Sequence, residues 1–209
     1  MPKGSEELTR ARKQEIIDAC ASLYETMSFK EISIKEIGKA TSLARTAIYH
    51  YFQTKEEIFL ALLQQEYELW NSDLQKLHDA YDKISVENFA EELARSLEKR
   101  TRLLKLMSMN HYDMESSSRM ENLIEFKSVY GASLRITADC LKKFFPEMSA
   151  SDVQNFIYTF FPFLFGVYPY TVVTDKQKEA MDKAGTNYVL LSLHEITYNC
   201  IAGLLEKYK

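Results

Sequence analysis

Arg45, Thr46, Tyr49 and His50 bring a guanidinium, a hydroxyl, a phenol and an imidazole close together along the chain. Such groups hydrogen-bond to base edges and phosphates when a short helix carries them into a major groove. Other polar clusters promise less. His111-Tyr112-Asp113-Met114-Glu115 holds three potential metal ligands but reads as a solvated loop. His78-Asp79 and His194-Glu195 are neighbours on helices, where adjacent side chains face different ways, so no proton relay is expected. The six glycines are isolated, and there is no G-x-S-x-G, phosphate loop or G-x-G-x-x-G. We therefore expect no catalytic, cofactor or metal site, and no enzyme.

The elements that must position Arg45 to His50 follow from apolar spacing and caps. A first helix runs from about Thr9 to Met27, with Ile16, Cys20, Leu23 and Met27 on one face. Ser33-Ile34-Lys35-Glu36 reads as a capping box opening a short helix that ends near Ala40. Another short piece covers Ala44 to Phe52. Ile34 and Ile37 can face Leu43 and Ile48, with Phe52 closing the unit. This is the shape of a helix-turn-helix; the spacing alone fits equally an ordinary three-helix bundle with a solvated face. Thr54-Lys55-Glu56-Glu57 is a second capping box, opening a long helix with Phe59, Leu62, Leu63, Tyr67, Trp70, Leu74 and Leu77 as its stripe. Further helices are predicted over Val86–Met109 with a break near Arg100, from a cap at Ser118 to Phe145, from a cap at Ser151 to about Tyr168, and from Tyr188 to Lys207. Stretches 111–117 and 175–187 read as loops. Only six glycines and four prolines punctuate 209 residues, which favours an all-α chain.

The string from Ile37 to Phe52, followed by Gln53-Thr54-Lys55-Glu56, resembles the signature of the tetracycline-repressor (TetR) family, roughly I-A-x-x-A-G-V-S-x-G-T-L-Y-x-Y-F-x-S-K-E. The motif covers about residues 10–60. The resemblance implies an N-terminal three-helix DNA-binding domain, placed at residues 1–53, and a larger helical effector-binding and dimerisation domain at 54–209. It puts Arg45, Thr46 and Ala47 at the start of the recognition helix. Tyr49, His50 and Tyr51 fall where family members touch bases and backbone. Lys55, Ser33 and Lys35 fall at helix starts that meet phosphate, and a helix N-terminus does favour an anion. Ser42 stands where the family has its turn glycine, Ala44 where it has a Ser/Thr cap, and Thr46 where it has a further glycine.

The net charge of −4 first argues against nucleic acid. Residues 1–55, however, carry nine Lys and Arg against seven Asp and Glu, leaving the acidity to the remainder. Phosphate contacts are thus expected from a few placed groups rather than a broad basic field. Three widely spaced cysteines and a charged, non-apolar start suggest a cytoplasmic chain without a secretory leader. The charge-free stretch between Asp152 and Asp175 holds Gln154, Asn155, Pro162 and Pro169, which favours a buried helix over a membrane span.

That helix is apolar nearly all round, so it must be buried on more than one side. Part of it would pack on its own core and part on a second copy. By resemblance, Phe156, Ile157 and Phe161 would join Leu193, Ile196, Cys200 and Leu204 of the last helix in a homodimer interface. Pro162 should kink the helix and open a gap. A small apolar or aromatic effector is expected among Trp70, Met107, Asn110, His111, Phe126, Tyr130, Phe160 and Phe163. The resulting expectation is a ligand-responsive, dimeric repressor of a palindromic double-stranded operator. Its rival is a helical small-molecule sensor that never touches DNA.

Overall fold

The computed structural model describes residues 3–109 and 111–208, with the side chains of Lys3, Gly4 and His111 left aside. Among the described residues all regular structure is helical. The helices are α1 (Lys3–Thr26), α2 (Ile34–Lys39), α3 (Arg45–Ile48), α4 (Lys55–Ala80), α5 (Val86–Glu98), α6 (Thr101–Met107), α7 (His111–Ser116), α8 (Met120–Phe144), α9 (Ala150–Thr171), α10 (Asp175–Ala184) and α11 (Leu193–Leu204), with a short 3₁₀ turn at Glu206–Tyr208. The chain forms two compact units, one of residues 1–65 with 110–128, the other of 66–109 with 129–209. The compact division thus falls within α4, after Gln65, and α7 with the start of α8 joins the first unit.

The first unit is built on the apolar face of α1. Ile16, Cys20, Ile32, Ile37, Ile48, Ile58 and Phe59 are fully buried. Each such side chain contributes about 1.5–3 kcal/mol of burial. Tyr24 and Phe29 set their edges against Phe59, at centroid distances of 5.3 and 4.8 Å. Burial of Cys20 pushes its thiol up to about 12, so it is an inert core group.

In the second unit α11 packs on α5 and α9, and α9 packs on α6. Its centre is aromatic: Tyr67, Trp70, Phe89, Phe160 and Phe161 are all buried. Arg100 holds α4 through Asp73, with Nε and Nη2 at 2.8 and 2.6 Å from one carboxylate oxygen.

Several boundaries depart from the sequence reading. The stretch 111–117 contains helix α7, and Ser118 donates back to the Met114 carbonyl rather than capping α8. The cap of α9 is Ser149, paired reciprocally with Asp152, not Ser151. Stretch 175–187 is mostly helix α10, capped by Thr174 and Gln177 and ended by Gly185 at φ 66°. It buries none of its residues. Without an apolar stripe, only its caps announced it. Conversely, Tyr188 to Leu191 are not helical; α11 starts after a Ser192–Glu195 capping box. Helix α9 continues through Pro162 and Pro169. No single described helix is long and apolar enough to cross a membrane.

Candidate functional site

The α2–turn–α3 segment is held from three sides. Ile37 and Ile48 are 0% exposed and Phe52 3%, as the spacing required, while Ile34 and Leu43 are half-buried. The approach of α2 and α3 does not require glycine at 38: a Cβ there would sit 3.5 Å from Ile48 Cδ1, an ordinary contact. The turn needs no glycine at Ser42, because among the described residues no non-glycine backbone has positive φ. Instead α1 braces it. The Ser42 amide donates to Glu15 at 2.6 Å, and Arg12 Nη1 donates to the Ser42 hydroxyl at 2.9 Å. These bonds from Ser42, with Arg12 alongside, hold the Glu15 carboxyl below the usual carboxylate range.

On this scaffold Arg45, Thr46, Tyr49 and His50 are exposed, and Ala47 and Tyr51 are half-buried. Arg45 Nη2 lies 3.3 Å from the Tyr49 hydroxyl, with its guanidinium carbon 6.0 Å from that ring. The pair presents one donor-rich surface. Ala44 makes no side-chain cap, leaving the start of α3 to its backbone. Ser33 and Lys35 are exposed at the start of α2, where the Ser33 hydroxyl accepts from the Glu36 amide at 3.3 Å. The reciprocal half of that capping box is not made, since the Glu36 carboxylate takes Lys39 at 3.1 Å. Lys55 departs from expectation. Its ammonium is half-buried, donates to the carbonyls of Phe29 (2.8 Å) and Ile32 (3.2 Å), and lies 4.1 Å from the Phe29 ring. It locks the α1–α2 connection in this structure, because those unpaired carbonyls need a donor.

Sequence reasoning missed the group behind the segment. The Glu57 carboxylate is 1% exposed and accepts from Arg119 Nε (2.8 Å), Arg119 Nη2 (3.0 Å), the Arg119 amide (2.9 Å) and the Gln53 amide (2.8 Å). Burial alone would raise this carboxyl. The Arg119 side chain and the two amides outweigh it and hold Glu57 below the usual range. The only local signal was Glu57 as the last residue of its capping box; Arg119 lies 62 positions away.

Of the expected effector residues, Trp70, Met107, Phe126 and Phe160 are buried. Trp70 and Phe160 are 0% exposed and Met107 1%. The Trp70 indole donates to Ser96 at 3.1 Å, and its ring stands 5.8 Å from Phe161. Tyr130 touches Tyr67 and Phe161 edge-on, at 5.5 and 6.0 Å. These aromatics fill the core of the second unit because their large apolar surfaces have nowhere better to go. Phe126 is buried in the first unit. Asn110 lies outside the described residues, and His111 is described only as the first residue of α7. Phe163 lines a groove of about 370 Å³ with Pro162, Gly166, Val167, Tyr170 and Ile196.

The expected interface residues also divide. Phe156 and Phe161 are buried within the chain, a correction to their placement at the interface. Ile157, Leu193, Ile196, Cys200 and Leu204 are half-buried, and Tyr158 and Tyr170 nearby are 72% and 62% exposed. His78 and Asp79, expected to diverge, touch at 2.9 Å on the surface. His194 instead meets Glu91 at 3.0 Å, while Glu195 caps its own helix. Among the described residues there is no cluster of three metal-ligating side chains.

A braced helix-turn-helix with exposed polar groups, followed by a separate helical unit, defines the class of helix-turn-helix regulators. The sequence profile of the bacterial regulatory proteins of the tetR family matches residues 16–62, and that of the tetracyclin repressor-like C-terminal domain matches 64–206. The chain belongs to the TetR family of bacterial regulatory proteins, and so to regulators rather than enzymes. A repressor of Mycobacterium tuberculosis, HTH-type transcriptional repressor Rv1474c, is 29% identical over 68 residues. That match spans 32% of this chain and only 36% of the relative's length. The fold is shared with a putative TetR-family regulator of Mesorhizobium loti (TM-score 0.61, 21% identity, 96% and 98% of the two chains). It is shared also with FadR of Bacillus subtilis in complex with stearoyl-CoA (TM-score 0.58, 17% identity, 91% and 96%).

Proposed function

We propose that this chain is a ligand-responsive transcriptional repressor that binds a palindromic operator as a homodimer and releases it on binding a small apolar effector. The observation that carries the reading is the exposed set Arg45, Thr46, Tyr49 and His50 on α3 and the turn that follows it, held by Ile37, Ile48 and Phe52. Two such helices related by a two-fold axis would enter major grooves about 34 Å apart. Residues 1–53 carry the DNA contacts and 54–209 the effector and dimer surfaces. Ala47 and Tyr51 support the contact face, and Ser33 and Lys35 take backbone phosphates. The dimer face is assigned to Ile157, Leu193, Ile196, Cys200 and Leu204, with the Pro162–Tyr170 groove alongside. The setting is cytoplasmic.

An effector that reaches Trp70, Met107 or Phe160 has to part the packed core, because these side chains are buried. An effector acts only through its preference for one arrangement over another. Arg45→Ala with Tyr49→Ala should abolish salt-sensitive retardation of DNA from the chain's own upstream region while leaving the helical content unchanged. Retardation equal to wild type would sink the reading. Stearoyl-CoA, bound by one structural neighbour, is a suitable first effector probe. The single tryptophan, Trp70, lies in the aromatic core, so its emission reports the titration directly.

A further inference from the structure

Glu57 and Arg119 do not belong to the DNA-facing surface, yet they join its rear to another helix. The buried Glu57 carboxylate gathers the Gln53 amide on one oxygen and the Arg119 amide and Nε on the other. Arg119 Nη2 reaches both that carboxylate and the Tyr51 carbonyl, each at 3.0 Å. Beside them the Thr54 hydroxyl donates to the Ser117 carbonyl at 3.1 Å. Tyr51 and Gln53 end the recognition segment; Arg119 is the residue before α8. The planar guanidinium is suited to this, since its donors leave in fixed directions toward several acceptors at once. An ammonium has a single point of origin.

We infer that Arg119 is a positioning residue for DNA reading, fastening the end of the recognition segment to the residue that leads into α8. A shift or rotation at the start of α8 is then handed to Tyr49 and His50. Helix α8 runs on from Arg119 for 25 residues. The inference rests on the DNA-binding reading of α3.

To test it, a duplex is enriched from a random-sequence library with the wild-type chain. Affinities for that duplex and for an unrelated one are then compared for wild type and Arg119→Lys by fluorescence anisotropy. The variant should bind the enriched duplex about ten-fold more weakly, with unrelated DNA and circular dichroism unchanged. Unchanged affinity for the enriched duplex overturns the inference. So does an equal loss on both duplexes, which is what a merely structural role would produce through the folded fraction. Should the variant not fold, the wild type decides: on binding the enriched duplex, the Gln53 and Arg119 amides should slow together in hydrogen exchange, and an unchanged rate at either overturns the proposal. If the wild type enriches no sequence, the DNA-binding reading itself falls, and this inference with it.

Discussion

Replacing Arg119 by alanine exposes how the first unit holds its buried charge. Glu57 is 1% exposed, so its carboxylate depends on protein donors. The substitution removes Nε and Nη2, at 2.8 and 3.0 Å, and leaves the amides of Gln53 and Arg119. Breaking a buried ion pair costs about 3–5 kcal/mol. The Arg119 side chain is 37% exposed. Solvent screening on that side and the surviving amides reduce the expected loss to about 2–3 kcal/mol. The pH dependence provides the sharper test. In the wild type the Glu57 carboxyl is held below the ordinary glutamate range, so its contribution is present above about pH 4.3 and is lost as pH falls through the depressed value. In the variant burial is opposed only by two amides, which raises the carboxyl. The charge penalty then operates at neutral pH and is relieved as the group takes up a proton. The stability gap should therefore be widest near pH 7 and narrow toward pH 4. Urea unfolding of both proteins across that range measures it. A gap below about 1 kcal/mol at neutral pH, or one that widens on acidification, refutes the reasoning.

Three further outcomes follow from the packing. Gly38→Ala should raise stability by about 0.5–1 kcal/mol, since α2 is helical there and the new methyl meets only ordinary contacts; a lower melting temperature would show that α2 and α3 lie closer. Phe161→Ala should cost about 3–5 kcal/mol and lower the melting temperature equally at all protein concentrations, because the ring is core; a loss that disappears at high concentration would return Phe161 to the interface. Ile196→Glu should instead shift sedimentation from dimer to monomer, and a sedimentation profile identical to wild type would remove the Pro162–Tyr170 groove from the proposed dimer face.

The helix-turn-helix was legible because its information is local. A few apolar positions between Ile34 and Phe52 set which sides of two short helices are buried, and the remaining polar residues then face outward. The same logic located the long helices α4 and α8 and the break near Arg100. It failed at α10, which has caps but no buried face, and at Tyr188–Leu191, where an apolar run is exposed and not helical. Periodicity reports burial, and neither segment couples helix to burial in the usual way.

The sequence by itself determined that two short helices present Arg45 to His50 behind a longer first helix, and that the net acidity lies outside residues 1–55. Tertiary structure alone decided the rest. A helix apolar all round cannot say which of its rings face inward, so only packing assigned Phe156 and Phe161 to the core and left Ile157 half-buried. The Lys55 ammonium, expected at a phosphate, donates to two carbonyls of the α1–α2 connection that only folding brings beneath it. Glu57 and Arg119 carry no mark of each other across 62 positions; a buried carboxylate finds whatever donors folding brings to it, and that geometry is written only in three dimensions.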